Sequence, residues 1–231
     1  MIKNILTFSV ALLFIFALSC SKSSIPVGMK CDYLPYAYGT IITSKVYSFN
    51  SFSNSLDSLN KVTEIVGDTS IGGVNYCVFV TTGTTQAGVN KGSARGVIRC
   101  GGDGIYQYAN VAGTNTDLKF LPSNPKLGDT WTNPPVTYYK GTNNELITSY
   151  SYEVIEVIPS LTIQGKTYSN VLRVLNTATS TYTNIGFDQK SYAVYHWDKT
   201  SGMIKYQPYT DKNDAIDNKP TKSYEELVSV K

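Results

Sequence analysis

Residues 152–174, YEVIEVIPSLTIQGKTYSNVLRV, predict a β-hairpin. Two runs rich in β-branched and aromatic residues, 152–163 and 166–174, flank Gln164-Gly165. A glycine between two such runs is a hairpin signal, because tight hairpin turns require positive φ.

An earlier stretch repeats the hairpin at an offset of 92 residues. The identical pairs are Val62 and Val154, Glu64 and Glu156, Ile71 and Ile163, Gly73 and Gly165, and Tyr76 and Tyr168. Since the turn glycine is among them, we interpret the repeat as an internal duplication. It predicts two similar halves, 34–111 and 121–209, followed by a C-terminal strand at 224–230 without a counterpart in the first half.

Composition indicates an all-β fold. The chain has 231 residues with 18 Tyr and 18 Gly, it is rich in Thr, Ser and Asn, and no window shows a convincing helical period. About a dozen strands joined by short turns predict a single antiparallel sheet that curls into a barrel or half-barrel, with few or no helices. We expect one all-β domain over residues 34–231.

The N-terminus is typical of an exported protein. Lys3 precedes an apolar run at 5–18, which is too short to span a bilayer as a helix. Ser19-Cys20 resembles the cleavage site of bacterial lipoproteins, so residues 1–19 are predicted as a signal peptide, Cys20 as the lipidated residue and 20–33 as a tether. An ordinary signal peptide that leaves Cys20 as a thiol is the alternative.

Charge and metal-ligand content exclude some classes of function. Without Lys3, 19 basic side chains face 17 acidic ones, which does not predict nucleic-acid binding. One histidine and no C-x-x-C pair argue against a structural zinc site. No cofactor or metal is expected.

The mature chain has three further cysteines, Cys31, Cys77 and Cys100. If 74–81 and 94–100 form a hairpin, Cys77 and Cys100 face each other at a distance compatible with a disulfide. The spacing therefore predicts a Cys77–Cys100 bridge, with three buried thiols as the alternative.

Two pairs of residues are candidates for a catalytic site, one with a histidine and one with two carboxylates. Asp198 lies two residues from His196 and could orient the imidazole, but no Gly-x-Ser-x-Gly sequence supplies a nucleophile. Glu64 and Glu156 are equivalent in the repeat and could form a carboxylate pair. Both are more simply explained as ordinary strand residues, so the protein is expected not to be an enzyme.

The aromatic residues are the best candidates for ligand binding. A tyrosine-lined concave surface can hold lipids, sugars or peptides. We expect Trp131, Tyr138, Tyr195 and Trp197 to contact a ligand, whereas the alternative is that they anchor the core.

Three stretches resemble a family of uncharacterised Bacteroidota lipoproteins: LPSNPKLGDTWT at 121–132, IEVIPSLTIQGKTYSNVLRV at 155–174 and YHWDKTSGMIKY at 195–206. Members of this family share a Gly-Asp-x-Trp motif and a Gly-Lys-x-Tyr-x-Asn-Val hairpin in that order. The resemblance implies a lipid-anchored outer-membrane protein but no chemistry. The absence of acidic residues after Cys20 favours the periplasmic face of the membrane.

Together these features predict a non-catalytic, membrane-anchored lipoprotein of the bacterial envelope that binds or carries an apolar or amphipathic ligand, such as a lipid, glycan or peptide, on a tyrosine-rich concave sheet. This function requires an open cavity lined by both halves. A structural or assembly lipoprotein that docks a protein partner is the alternative, and it requires a filled core and an exposed aromatic patch.

Overall fold

The computed structural model describes residues 32–34, 37–50, 54–85, 88–111, 114–221 and 223–231. These residues are almost entirely strands of one antiparallel sheet that nearly closes into a barrel, which confirms the all-β prediction. The predicted signal peptide, Cys20 and the tether up to residue 31 lie outside the described residues. No helix in the described part of the chain is long and apolar enough to span a membrane.

The strands form two meanders in chain order. The first contains β1 (Ile41–Asn50), β2 (Ser55–Ile71), β3 (Val74–Thr85), β4 (Asn90–Gly101), β5 (Gly104–Val111) and β6 (Thr114–Pro122). The second contains β7 (Thr130–Thr132), β8 (Val136–Tyr138), β9 (Leu146–Ile163), β10 (Lys166–Tyr182), β11 (Phe187–Asp198), β12 (Gly202–Tyr209) and β13 (Tyr224–Val230), with helix α1 (Lys212–Ile216) between the last two strands.

Strand β13 joins the two meanders. The sheet order is β6-β5-β4-β3-β2-β1-β13-β12-β11-β10-β9-β7, with β8 paired to β9. Ile41 and Lys231 exchange two backbone hydrogen bonds of 2.9 Å beside the β1–β13 ladder. In this order β13 lies beside β12 as β6 lies beside β5, so β13 is the counterpart of β6 in the sheet topology. The expectation that the last strand has no counterpart in the first half is therefore wrong. Strand β6 was missed from the sequence.

The two predicted hairpins are present as β2–β3 and β9–β10. Gln164 and Gly165 have φ of 50° and 77°, and Gly72 and Gly73 have φ of 59° and 79°. Two consecutive positive φ values are those of a type I′ turn, whose twist matches that of the strands. The strands are longer than predicted, because polar Ser, Thr and Asn residues continue each ladder beyond the apolar run.

Both hairpins contain a β-bulge in the same structural position. The bulges show that the two halves are not related by one constant offset of 92 residues. Buried Ile65 and Val154 precede the bulged positions, and each exchanges hydrogen bonds with a preceding turn, through Gly39 and Thr40 or Gly128 and Asp129. These positions are related by 89 residues, whereas the turn glycines are related by 92. The arm between bulge and turn is therefore three residues longer in β9, and a single offset of 92 does not align the strands.

The main core lies where the two ends of the sheet approach each other. Its buried members come from both meanders: Leu34, Ile105, Leu121, Tyr152, Val154, Leu172, Val174 and Trp197. Alternation along β10 places Leu172 and Val174 on this inner face. On the outer face, Leu175 and Val194 pack against Ala215 of α1.

Helix α1 lies in the connection between β12 and β13. The Asp211 carboxylate accepts hydrogen bonds from the backbone N–H groups of Asn213 and Asp214, as an N-cap does. At the other end, the buried Arg173 guanidinium donates to the carbonyls of Ala215 and Ile216. A helix of five residues is too short for a periodic pattern, which is why the sequence did not reveal it.

The predicted Cys77–Cys100 disulfide is wrong. Cys77 faces Ile98 across the β3–β4 ladder, so Cys100 lies two positions further along, a diagonal separation of about 7–8 Å between Cα atoms. From Cys77 to Thr82 the β3–β4 ladder is two residues out of the register that would place Cys77 opposite Cys100. Cys100 is disulfide-bonded, whereas Cys77 carries a thiol whose pKa is raised by burial.

Candidate functional site

A cavity of about 340 Å³ lies inside the curled sheet and is lined by both meanders. We call it the interior cavity. Most of its wall is apolar, with Ile42, Phe79, Ile98, Phe120, Met203 and Leu227 among its lining residues. Its volume is at the lower end of the range of about 300–1,000 Å³ that is usual for small-molecule sites.

One ion pair lies in the wall of the interior cavity. The Lys61 ammonium is within 2.6 Å of both carboxylate oxygens of Glu225, and the Ser44 hydroxyl donates to the same carboxylate at 2.6 Å. Both charges are largely shielded from solvent, and each is compensated by the other. The cavity therefore has one charge-compensated spot on a mostly apolar wall, which also includes Thr63, Thr81, Gln107 and Lys205.

Trp197 belongs both to the core and to the interior cavity. Its side chain is only 4% exposed and packs in the main core, while the residue also lines the cavity. Its indole Nε1–H has no hydrogen-bond partner in the described part of the chain. A buried donor without an acceptor costs about 1–3 kcal/mol.

Aromatic rings continue from the interior cavity along the concave face. Phe120 packs edge-on to Tyr195 with centroids 6.1 Å apart, and Tyr195 lies 5.2 Å from Tyr206. Burial raises the pKa values of both tyrosines, and the negative charge of Glu225 adds to the effect at Tyr206. These phenols are therefore neutral at physiological pH.

Tyr195 and Tyr206 also line a second, more open depression of about 460 Å³. We call it the tyrosine groove, and its other lining residues include Tyr138, Tyr139, Thr148, Tyr150, Asn176 and Ser180. The hydroxyls of Tyr138 and Tyr150 are 3.0 Å apart, as are those of Thr148 and Ser180. Because the two depressions share Tyr195 and Tyr206, they are neighbouring parts of one concave face.

Three of the four residues predicted to bind a ligand line these depressions. Tyr138 lies in the tyrosine groove, Trp197 in the interior cavity and Tyr195 in both. Trp131 lines neither: its ring stacks on Tyr152 at 5.2 Å and its Nε1 donates to the carbonyl of Lys119 at 3.0 Å. The structure thus brings three of these residues together and places Trp131 at the junction of the sheet ends.

Sequence reasoning missed most of the cavity wall. Phe79, Phe120 and Glu225 belong to strands that are far apart in the chain, and only the closure of the sheet brings them together. Alternation within β13 could have placed Glu225 on the same face as Leu227. Nothing in the sequence identified that face as the interior.

The proposed orientation of His196 by Asp198 is not present. Asp198 accepts hydrogen bonds from the Thr200 hydroxyl and from the backbone N–H groups of Thr200 and Ser201, so it organises the β11–β12 turn. His196 is 2% exposed, and its Nδ1 has no partner within the described residues. Burial and the charges of Lys205 and Arg173 lower its pKa to about 3.

The carboxylates of the repeat also have separate environments. Glu156 forms an ion pair with Arg173 on the outer face, while Glu64 lies on β2 with an exposed side chain. By the 89-residue relation of the bulges, Glu64 corresponds to Glu153 rather than to Glu156. The equivalence that suggested a carboxylate pair therefore does not hold in the fold.

Comparison with known proteins identifies a fold and no family. No family model matches the chain, and no curated protein matches it significantly. A "putative lipoprotein" from Parabacteroides distasonis is similar, with a TM-score of 0.58, 14% identity and coverage of 87% of this chain and 100% of the other. A "putative exported protein" with a YmcC-like fold from Bacteroides fragilis has a TM-score of 0.54, 15% identity and the same coverage. At these identities the likeness concerns the fold alone.

Proposed function

We propose that the protein is a lipid-anchored, non-catalytic lipoprotein of the bacterial envelope that holds an apolar or amphipathic ligand on its concave face. The observation that carries the proposal is the interior cavity, which is lined by both meanders and is mostly apolar. An assembly protein with a filled core would not need such a space.

The wall of the cavity suits an amphipathic molecule. Aliphatic and aromatic side chains would stabilise an apolar group by about 25 cal/mol for each Å² removed from water. The Lys61–Glu225 pair provides polar groups at one point of the wall. The ligand would therefore have one apolar part and at least one polar group.

Two observations support the lipid anchor: the N-terminal sequence and the descriptions of the two proteins with a similar fold. Residues 1–20 have the order of charge, apolar run and cysteine of a lipoprotein signal, and the two similar structures carry the descriptions quoted above. We place the protein in the outer membrane, with its body on the periplasmic side. Incorporation of labelled palmitate that is lost in Cys20→Ala would support the anchor, and equal labelling of both chains would contradict it.

A docking function is favoured by one other observation. Ile185 within the β10–β11 turn, Phe187 directly after it and Tyr139 before β9 are exposed apolar residues. The backbone N–H of Thr183 donates to the carbonyl of Glu145 and so links the two loops. An exposed apolar rim of this kind can contact a protein partner. We keep partner docking as the second candidate.

Binding of cis-parinaric acid, a fluorescent fatty acid, tests the cavity directly. Thr81 lines the interior cavity, whereas Thr82, its neighbour on β3, does not. We expect Thr81→Phe to fill the cavity and reduce the affinity at least tenfold, while Thr82→Phe serves as the matched control and leaves it within twofold. Equal affinities for the two variants would contradict binding in the cavity. If the wild-type protein does not bind cis-parinaric acid, the docking function is favoured instead.

A further inference from the structure

The tyrosine groove beside the interior cavity has a chemistry of its own. All of its lining residues are uncharged, although the described part of the chain contains many charged side chains. Seven of them are tyrosines, and the remaining polar ones carry hydroxyl or amide groups. A binding surface of this composition selects its ligand by shape and neutral hydrogen bonds.

We propose that the tyrosine groove binds the uncharged, polyhydroxylated head of an amphipathic ligand, that is, a neutral saccharide. This inference rests on the proposed function, because the apolar part of the same ligand lies in the adjoining interior cavity. Tyr195 and Tyr206, which line both depressions, contact the ligand where the two parts join.

The polar groups in the groove are arranged as donors and acceptors for hydroxyls. Tyr138 and Tyr150 place two phenol oxygens 3.0 Å apart, and Thr148 and Ser180 place two aliphatic hydroxyls at the same distance. Each of these oxygens can both donate and accept a hydrogen bond. A sugar ring carries the same kind of groups at similar spacings, so hydroxyl pairs on the two sides can complete each other's hydrogen bonds.

The aromatic rings match the other property of a saccharide. A tyrosine combines an apolar ring face with a polar tip, as a sugar combines a face of C–H groups with peripheral hydroxyls. Tyr139 is 63% exposed at the rim and is available to a ligand that enters from solvent. A hydrocarbon chain in the groove could not form hydrogen bonds with the two hydroxyl pairs.

The absence of charge among the lining residues disfavours ionised heads in the tyrosine groove. An anionic or cationic group in the groove would lose water without gaining an opposite charge, which is unfavourable. Burial also raises the pKa of Tyr150, so this phenol does not become an anion that could attract a cation. A neutral head has no such penalty.

A matched series of detergents separates the head from the chain. Octyl β-glucoside, octyl sulfate and octyltrimethylammonium share one apolar chain and differ in the head. Each is titrated below its critical micelle concentration into the mature chain, residues 20–231 with Cys20→Ala. The fluorescence of Trp197 in the interior cavity, one of two tryptophans in the protein, reports binding.

We expect the glucoside to bind at least tenfold more tightly than either charged analogue. Tyr150→Phe, which removes one hydroxyl of the pair, should weaken the glucoside at least fivefold and change the charged analogues by less than twofold. Tyr47→Phe, on a strand that does not line the groove, is the matched control.

The outcomes distinguish the two proposals. Similar affinities for all three detergents would overturn the neutral head while leaving the apolar cavity in place. Tighter binding of octyl sulfate or octyltrimethylammonium than of the glucoside would also overturn the neutral head. It would show that the groove prefers an anionic or a cationic head, respectively. Binding of none of the three would overturn the proposed function together with this inference.

Discussion

The side-chain amide of Asn133 pairs with both backbone groups of Lys119. The Lys119 N–H donates to Asn133 Oδ1 at 2.8 Å, and Asn133 Nδ2 donates to the Lys119 carbonyl at 3.2 Å. Lys119 lies on β6 and Asn133 follows β7, which are the two end strands of the sheet. One amide side chain thus provides at this junction what backbone pairing provides between β1 and β13.

Replacing Asn133 by Leu should loosen the junction. Asn133 is buried, so the change leaves the Lys119 N–H without a partner, while the Lys119 carbonyl keeps its bond from Trp131 Nε1. It should lower the free energy of unfolding by about 2 kcal/mol. Urea denaturation measures the loss, and hydrogen exchange should show a faster Lys119 amide. Asn143→Ala in the exposed β8–β9 loop is the control. An unchanged Lys119 exchange rate in Asn133→Leu would show that the pairing does not hold the edge.

Protonation of His196 should destabilise the fold as the pH falls. Its pKa is about 3 in the folded chain and 6.5 when unperturbed, so the unfolded chain binds the proton first. The stability is complete above about pH 6.5 and decreases by about 1.4 kcal/mol per pH unit between about 6 and 3.

Urea denaturation between pH 5.5 and 7 isolates this effect, because His196 is the one histidine and most carboxylates are still ionised there. The wild type should lose about 1 kcal/mol over this range, and His196→Gln should lose almost none, whatever its absolute stability. Parallel slopes for the two proteins would mean that His196 is not the titrating group.

Phe79 lies over Gly96 in the wall of the interior cavity. A Cβ added to Gly96 would lie 2.3 Å from Phe79 Cζ, so any side chain there displaces the ring. Gly96→Ala should lower the free energy of unfolding by about 1–3 kcal/mol and reduce binding of cis-parinaric acid. Adding Phe79→Leu removes the clash and should recover part of the stability in a thermal or urea melt. A double variant less stable than Gly96→Ala alone would refute the contact as the cause.

Cys100 is predicted to bond to Cys31. Cys100 is disulfide-bonded, and Asp32 and Tyr33, which follow Cys31 directly in the sequence, line the same depression as Cys100. Closing this loop should stabilise the fold by about 4 kcal/mol. Peptide mapping without reductant should yield a linked pair containing residues 31 and 100. A peptide linking Cys100 to Cys20 would contradict both this pairing and lipidation of Cys20.

Local patterns in the sequence were sufficient to predict the apolar parts of most strands and the turns of the two hairpins. The glycines at 73 and 165 fixed the two hairpins, because they permit positive φ, and alternation of apolar residues gave the sheet its two faces. The polar ends of the long strands and the whole of β6 were not predicted. Stretches rich in Thr and Asn are typical of loops, and the partner strand that stabilises them cannot be identified from the local sequence.

The site depends on information that is not local. The register of the β3–β4 ladder determined the outcome for the cysteines, because it pairs Cys77 with Ile98 and leaves Cys100 two positions further along. Closure of the sheet decided the cavity, because Phe79 of β3 and Trp197 of β11 meet only when its two ends approach. The aromatic residues could be identified as candidates from sequence, but the uncharged lining of the groove became visible only in three dimensions.

Native mass spectrometry of the mature chain, exported to a periplasm with Cys20→Ala and purified without detergent, tests the central claim most directly. Our account predicts a persistent added mass, released on unfolding and absent from Thr81→Phe, whose size would identify the ligand. An added mass of equal abundance in Thr81→Phe, or none in either protein, would contradict a ligand held in the interior cavity.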